Sequence, residues 1–335
     1  MGDRKMREKF ASTLTQPQIK AANAAMIELL RPESGYEGAT KAAALLDDPV
    51  RIQVREGSIE EQILDRLPVG PEDLAQVVDH DMPTYIGEIE AESPGAVVVP
   101  IGGRPRAWYY FGRKYEARFS RHRTLRLKKD TSQLLTYKHD IRGDLTDNAV
   151  KDLIASRDHR FFQAINNLLS PGKAAAGQPL GPGETLRTGV KQWVQLEGQW
   201  TPSTLAEADK VLNKSTYGID GQTYVINLET SKEFLKWDHD MWGGADIAQE
   251  VRRNGWTMKT MHGKRWIITI KNWIVPNGTM YIFGPQEFIG KNLVLTEPTM
   301  FVKKDETELT MWAYEEAAMV IANIAAVARV DVTLT

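Results

Sequence analysis

Two triplets in this 335-residue chain have the composition of metal ligands, Asp79-His80-Asp81 and Asp238-His239-Asp240. Adjacent side chains diverge, to opposite faces in a strand and by about 100° in a helix, so one triplet cannot close a three-ligand site. Only the two brought together would do so, and polar triplets at loop edges are ordinarily solvated. Ser170-Pro171-Gly172-Lys173 has the Ser-x-x-Lys spacing of an acylating serine beside a lysine. Its Pro-Gly pair breaks the helix that such chemistry requires, and the accompanying motifs are missing. There is no Gly-x-x-x-x-Gly-Lys phosphate loop, no Gly-x-Gly-x-x-Gly and no Gly-x-Ser-x-Gly. The absence of cysteine excludes thiol catalysis, disulfides and Cys-containing metal sites. His122, His139, His159 and His262 are scattered beside Arg, Lys, Asp or Met and read as surface or interface residues. The chain is expected to have no catalytic residue, no cofactor and no metal, and not to be an enzyme.

If no residue cluster does chemistry, the charge pattern carries the next signal. The 42 Lys and Arg nearly cancel the 44 Asp and Glu, and 42% apolar with 26% charged residues is ordinary globular composition. The length is near the limit of one core, which predicts two lobes or one domain with long excursions. No run of about 18 apolar residues would span a membrane. The charged stretch Met1–Phe10 lacks the apolar core of a signal peptide. The local balance is far from neutral: residues 1–82 carry 10 basic and 15 acidic side chains, whereas 104–129 carry ten Lys and Arg against Glu116 alone. Such a block suits a phosphate backbone, an electropositive cleft, or acidic surfaces on another copy of the chain.

The first 80 residues read as short pieces separated by breakers: helices over 18–30 and 40–46, a strand over 50–54, and a helix over 59–67. Ser58-Ile59-Glu60-Glu61 is a capping-box pattern that opens the last of these, and Pro68, Gly70 and Pro71 end it. None is long enough to own a core. From 84 to 137 the chain is β-rich, with a turn at Gly102-Gly103. Lys114 to Lys128 alternates with period 2, placing Tyr115, Ala117, Phe119, Leu125 and Leu127 on one face, interrupted by Arg121 and Arg123. A straight ribbon of that length would run roughly 45 Å. It must bend at 120–123 or project and find a partner surface. Trp108–Phe111 beside Arg104, Arg106, Arg113 and Lys114 offers aromatics interleaved with cations, as base stacking needs. The aromatics run consecutively, however, and the alternation after Lys114 points to packing or an interface instead.

A helix is expected over 144–170, with Asp144 at its N-cap and Val150, Leu153, Ile154, Phe161, Ile165, Leu168 and Leu169 on one stripe, interrupted at 157–160. The Gly/Pro-rich stretch 171–189 reads as a hinge. Beyond it come helices over 205–212 and 245–253, and strands over 221–228, 266–270, 273–275 and 280–283. A hairpin over 300–314 turns near Asp305-Glu306, and a final strand covers 329–334. Residues 315–327 are Ala-rich and open between helix and strand.

The order arm, projecting β-ribbon, long helix, α/β lobe and β-rich tail resembles the major capsid proteins of tailed double-stranded-DNA bacteriophages, the Hong Kong 97-type fold. The resemblance rests on Tyr109–Arg118 leading to Tyr137–Arg142, on Lys264–Lys271, Ile274–Pro276, Tyr281–Gly284 and Phe288–Gly290, and on Met300–Lys304 through Ala325–Arg329. It covers roughly residues 84–335. It implies an α+β class with five regions: an N-terminal arm (1–83), an extended β-ribbon loop (84–130), a peripheral domain with a long spine helix (131–190), an α/β axial domain (191–298), and a closing β-rich segment shared by peripheral and axial domains (299–335). It implies assembly of hexamers and pentamers into an icosahedral head, in a virion put together in the host cytoplasm. The implied partners are further copies of the chain, packaged double-stranded DNA held non-specifically at the inner surface, a portal, and scaffold or decoration proteins, with no membrane. Any scaffold would be a separate protein or absent. The expected interface residues on the ribbon are Arg104, Arg106, Trp108, Tyr110, Arg113, Arg118, Arg121, Arg123 and Arg126. The expected core of the spine helix is Val150, Leu153, Ile154, Phe161 and Ile165. Some members cross-link a Lys to an Asn; Lys114 and Asn323 have the right types, and that question stays open. The alternative is a nucleic-acid-binding protein that uses the basic ribbon 104–129.

Overall fold

A computed structural model describes residues 57–89, 98–104, 107, 113–130, 141–169, 192–213, 218–234, 237, 260–261, 263–305 and 308–333, with six single positions before residue 44. The expected pieces over 18–30, 40–46, 50–54, 171–189 and 245–253 lie outside the described residues, save those single positions.

The described chain begins with a short helix, α1 (Ile59–Ile63), and a strand, β1 (Asp65–Pro68), where the sequence predicts one helix to Leu67. Ser58 does sit at the N-cap, but its side chain makes no capping bond. The cap comes from 100 residues away. Asp158 Oδ1 accepts from Ser58 Oγ at 3.1 Å, Ile59 N at 2.9 Å and Glu60 N at 3.2 Å, doing what the local box was expected to do.

Strands β2 (Thr84–Ile89) and β3 (Arg113–Arg118) form a two-stranded antiparallel ribbon, pairing Thr84 with Arg118 and Ile89 with Arg113. The chain then leaves the ribbon. β4 (Ser120–Arg123) and β5 (Leu127–Asp130) dock instead on a long strand of another sheet. The alternating stretch is therefore three short strands with breaks at Phe119 and at 124–126, whereas the expected bend at 120–123 is itself strand β4. Arg121 and Arg123 break the apolar face because that face changes sheets there.

The longest helix, α2 (Ile141–Leu169), has 29 residues and so runs roughly 44 Å. It starts before Asp144, the expected N-cap, which lies within it. Val150, Leu153, Ile154, Phe161 and Ile165 are all buried, whereas Leu168 of the expected stripe is 39% exposed. The apparent interruption at 157–160 is no gap in the buried face: Arg157 is 2% exposed and Asp158 fully buried.

Downstream come β6 (Trp193–Glu197), α3 (Pro202–Asn213), β7 (Thr223–Asn227), α4 (Leu228–Glu233), β8 (Thr260–Met261), β9 (Lys264–Thr269), β10 (Thr279–Phe283) and α5 (Gln286–Ile289). β11 (Gly290–Asp305), β12 (Glu308–Ile321) and β13 (Val327–Thr333) complete the chain. One sheet has the order β6-β13-β10-β7-β9-β8, with β6/β13 and β7/β9 parallel. Its central strand β10 is buried on both faces, which is why it reads as an unbroken apolar run. Tyr281 and Phe283 meet Phe161, Phe162, Ile165 and Leu169 of α2; Met280 and Ile282 meet Leu205, Ala208, Val211 and Leu212 of α3. Residues 273–275, expected as a strand, form a turn instead. The amides of Ile274 and Val275 bond back to Lys271 O, which tucks both side chains into the core.

The other large sheet has the order β1-β11-β12-β4, with β5 also on β12. Its β11–β12 hairpin is far longer than the 300–314 expected. Pro298, which lacks an N–H, falls in the register shift between Thr296 and Thr299, where no ladder bond is lost. The Ala-rich stretch left open as helix or strand is strand through Ile321, then a 3-10 turn at Ile324–Ala326. Pairing to β11 on one side and β4 on the other overrides alanine's helix preference. β11 runs through position 298, where the expected axial region ends.

Candidate assembly surface

The five-stranded sheet presents two different faces. Leu309, Met311, Ala313, Glu315 and Ala317 of β12 alternate onto the buried face, where Glu315 meets Arg157 of α2. On the other face Leu293 and Ala318 pack with Ala117 and Phe119 of β3 and the residue after it, backed by Leu67, Val69, Tyr85 and Tyr115. The apolar side of the ribbon is thus spent within its own subunit, holding the ribbon base on the sheet. Tyr85 and Tyr115 sit 6.4 Å apart across the β2–β3 pair.

Beyond the ribbon base the same outer face carries a ladder of rings and guanidinium groups. The Phe301 and Trp312 rings stack at 4.9 Å across the β11–β12 pair. Arg123 lies over the Trp312 ring at 4.9 Å and Arg126 at 5.3 Å; Arg121 lies 5.7 Å over Tyr314. Arg121 also donates to Glu316, with Nε 2.7 Å from Oε1. Lys128 pairs with Glu308 at 3.0 Å and Lys114 with Glu88 at 3.6 Å. Rings fix the planes of these cations, and Glu316 also holds Arg121, so the strip is an ordered array of rings and guanidinium groups. Leu125, 83% exposed, and Leu127, 42% exposed, were both expected on a covered face; Leu127 pairs with Met311 and so lies on the opposite side of the sheet from the ladder.

Of the ribbon residues expected at an interface, Arg118, Arg121, Arg123 and Arg126 are exposed, and the last three share the ladder. Arg118 stands apart on Glu116, Nε to Oε1 at 2.8 Å, and that bond together with one to His80 holds the Glu116 carboxyl below its usual range. Arg104 is exposed in a loop, and Arg113 lies in β3. Arg106, Trp108 and Tyr110 lie outside the described residues. Sequence reasoning missed Trp312 and Tyr314, which receive the arginines, and Phe301, which stacks on Trp312. Their odd-even spacing on a hairpin strand was visible, but their pairing with 121–126 is a matter of sheet order.

Of the metal-like triplets, His80 is engaged at 3.1 Å with Glu116 and accepts at Nδ1 from Met82 N, and Asp238-His239-Asp240 lies outside the described residues, as does Ser170–Lys173. No group of three potential metal ligands occurs among the described residues. Asn323, one cross-link candidate, caps the 3-10 turn by accepting from Ala325 N at 2.9 Å.

No family model and no curated protein matches the chain. Solved structures do. A virus-like particle from Pyrococcus furiosus is similar at 12% identity and a TM-score of 0.52, over 85% of this chain and 98% of that one. The mature capsid of bacteriophage PhiM1 is similar at 8% identity and 0.54, over 83% and 87%. The capsid of cyanophage P-SCSP1u is similar at 10% and 0.54, over 83% and 89%. At such identities the likeness establishes the fold: the α+β architecture is that of these capsid subunits, the Hong Kong 97-type fold expected from the sequence.

Proposed function

We propose that this chain, which has the fold of tailed-phage capsid subunits, is a major capsid protein that self-assembles into hexamers and pentamers of an icosahedral head around double-stranded DNA. In this reading residues 1–83 are an arm, 84–130 the extended loop, and 131–190, with α2 as its spine, the peripheral domain. Residues 191–298 form the axial domain, and 299–335 is shared between the two. The six-stranded sheet is the body of the axial domain, and β12 and β13 divide the closing segment between the sheets. The carrying observation is the extent of the fold match, which takes in 87% to 98% of each capsid chain together with most of this one. Function is then architectural, with no catalytic step. Many modest contacts, each reversible, sum to a stable shell. The virion is its location, and other copies are its partners. Packaged DNA would lie at the inner surface without sequence preference, and portal and scaffold or decoration proteins would complete the particle.

The nucleic-acid alternative gains nothing from the described ribbon. Arg121, Arg123, Arg126, Lys114 and Lys128 are engaged with rings or carboxylates of the same chain, and Phe119 is buried, so neither an open cation track nor a free stacking ring is presented there. The test is negative-stain microscopy of the purified chain beside a variant in which a two-residue Asn-Gly turn replaces residues 90–112, joining the paired ends Ile89 and Arg113. The parent should form capsomers or shells, and the variant should fold and stay dispersed. A parent that remains monomeric across salt and crowding conditions would refute the capsid reading.

A further inference from the structure

Around Arg157 of α2 the charges do not balance. Its Nη1 lies 2.8 Å from Glu61 Oε1, and its Nε lies 3.4 Å from both Glu60 Oε2 and Glu315 Oε1. All four side chains are at most 7% exposed. None of the Arg157 nitrogens has an aligned hydrogen-bond acceptor, and Glu315 Oε1 has no aligned donor, so the contacts are charge against charge. Three carboxylates thus converge, from α1 and β12, on one buried guanidinium.

The other charged groups nearby do not make up the deficit. Asp158 adds a fourth carboxylate, and its partner Lys271, at 2.6 Å, answers that one. Arg66 of β1 is bound to Glu297 at 2.8 Å. Arg160 of α2 faces His122 of β4 at 3.3 Å. An arginine can only donate, so His122 Nε2 is the acceptor, and its Nδ1–H donates to Ser156 Oγ at 2.8 Å. His122 is therefore neutral in this arrangement. Burial, with Arg160 and Arg157 beside it, pushes its imidazole down to about 4.

We propose that this cluster is a proton-operated latch: one proton, shared between Glu60 and Glu315, holds α1 on α2, and its departure loosens the hold. Buried carboxylates in excess of the charge of the one guanidinium they crowd lack solvent; a proton on Glu60 or Glu315 removes one charge and supplies a donor. Burial, the largest effect, raises both Glu60 and Glu315 to about 7 even though Arg157 pulls each downward. These carboxyls lie above their ordinary 4.5 when α1 is docked, so docking takes up a proton between about pH 4.5 and 7. The contribution is complete below that window and is lost as pH rises through it. For one shared proton the docking constant falls about tenfold per pH unit within the window and levels off above it. His122, held low, acts in the opposite sense below its ordinary 6.5, so the test is run in a His122→Gln background. The latch belongs to the single subunit and stands independently of the capsid reading.

Amide hydrogen exchange reads the latch directly on the dispersed full-length chain. The amides of Ile59 and Glu60 are held by Asp158, and that of Leu64 by Glu60 O at 2.8 Å. After correction for the intrinsic rate, their protection should fall about tenfold per unit from pH 5 to 7 and then flatten. Glu315→Gln or Glu60→Gln alone should reduce the slope, and in the double variant it should vanish, because burial raises each carboxyl by itself. The amides of Val225 and Ile282 in the six-stranded sheet should not follow. Carboxyl carbon NMR should show glutamate titration near neutrality that the double substitution removes. An unchanged slope in the double variant, an equal slope in the sheet amides, or glutamates that all titrate near 4.5 would overturn the proposal.

Discussion

Asp158→Ala removes the acceptor that caps α1 from the middle of α2, and the structure sets the size of the loss. Three donors converge on Oδ1: Ser58 Oγ and the amides of Ile59 and Glu60. Ser58 is fully buried, and Ile59 and Glu60 are 4% and 5% exposed, so water cannot replace the carboxylate without opening the site. Each orphaned buried donor costs about 1–3 kcal/mol, and neighbours relax to recover part of it. Lys271 is 26% exposed and rehydrates on losing its partner, so it adds little. The net expectation is a loss of about 3–5 kcal/mol. For a chain of this length the unfolding entropy is on the order of 0.7 kcal/mol per kelvin, so Tm should fall by about 4–7 °C. Asp158→Asn keeps an oxygen for the same donors and loses only the charge, so about 1–2 kcal/mol, or 1–3 °C, is expected. Calorimetry of the three proteins at pH 6, under conditions that keep subunits dispersed, separates the cases. Equal losses in Ala and Asn would mean that the Lys271 pairing matters and the cap does not. A loss below about 1 kcal/mol in Asp158→Ala would refute the capping argument outright.

Three further outcomes follow from particular contacts. Phe161→Ala opens a cavity between α2 and Phe283 in the core shared with the six-stranded sheet, and should cost about 3–5 kcal/mol in urea unfolding. Gly290→Ala should destabilise the start of the β11–β12 hairpin by about 2 kcal/mol or more, because a Cβ there runs into the Val320 carbonyl oxygen, which belongs to paired backbone. His122, lowered by burial to about 4, binds its proton less readily folded than unfolded, so it withdraws stability as pH falls from 6.5 toward 4. His122→Gln should flatten that part of the urea-midpoint profile, and an unchanged slope would refute the assignment.

The surface ladder and the buried cluster share a lesson about legibility. The positions of α2, α3, β7, β9, β10 and β13 could be read because each carries its own period or, as in β7 and β10, a short apolar run, and the five expected core residues of α2 are buried because their spacing follows one helical face. The cluster at 157–160 read as a break in that face, since charged residues are rarely buried and no local pattern announces partners on α1 and β12. The capping box at Ser58 misled for a related reason: its residues suit a helix start, but Glu61 is drawn to Arg157 and the cap is supplied by Asp158. At 315–327 alanine propensity was balanced against alternation, and hydrogen bonding on both edges of β12 decided for strand.

By itself, the sequence determined what depends on neighbours along the chain: the helix and strand periods, the absence of cysteine chemistry, and the segregation of basic residues at 104–129. Tertiary structure alone decided what depends on which strands lie side by side. It placed Arg123 and Arg126 on Trp312, put the apolar side of β3 against its own sheet, and brought three carboxylates to one arginine. Those pairings join residues 96 to 201 positions apart, and their energies come from burial and exclusion of water, which no local spacing encodes.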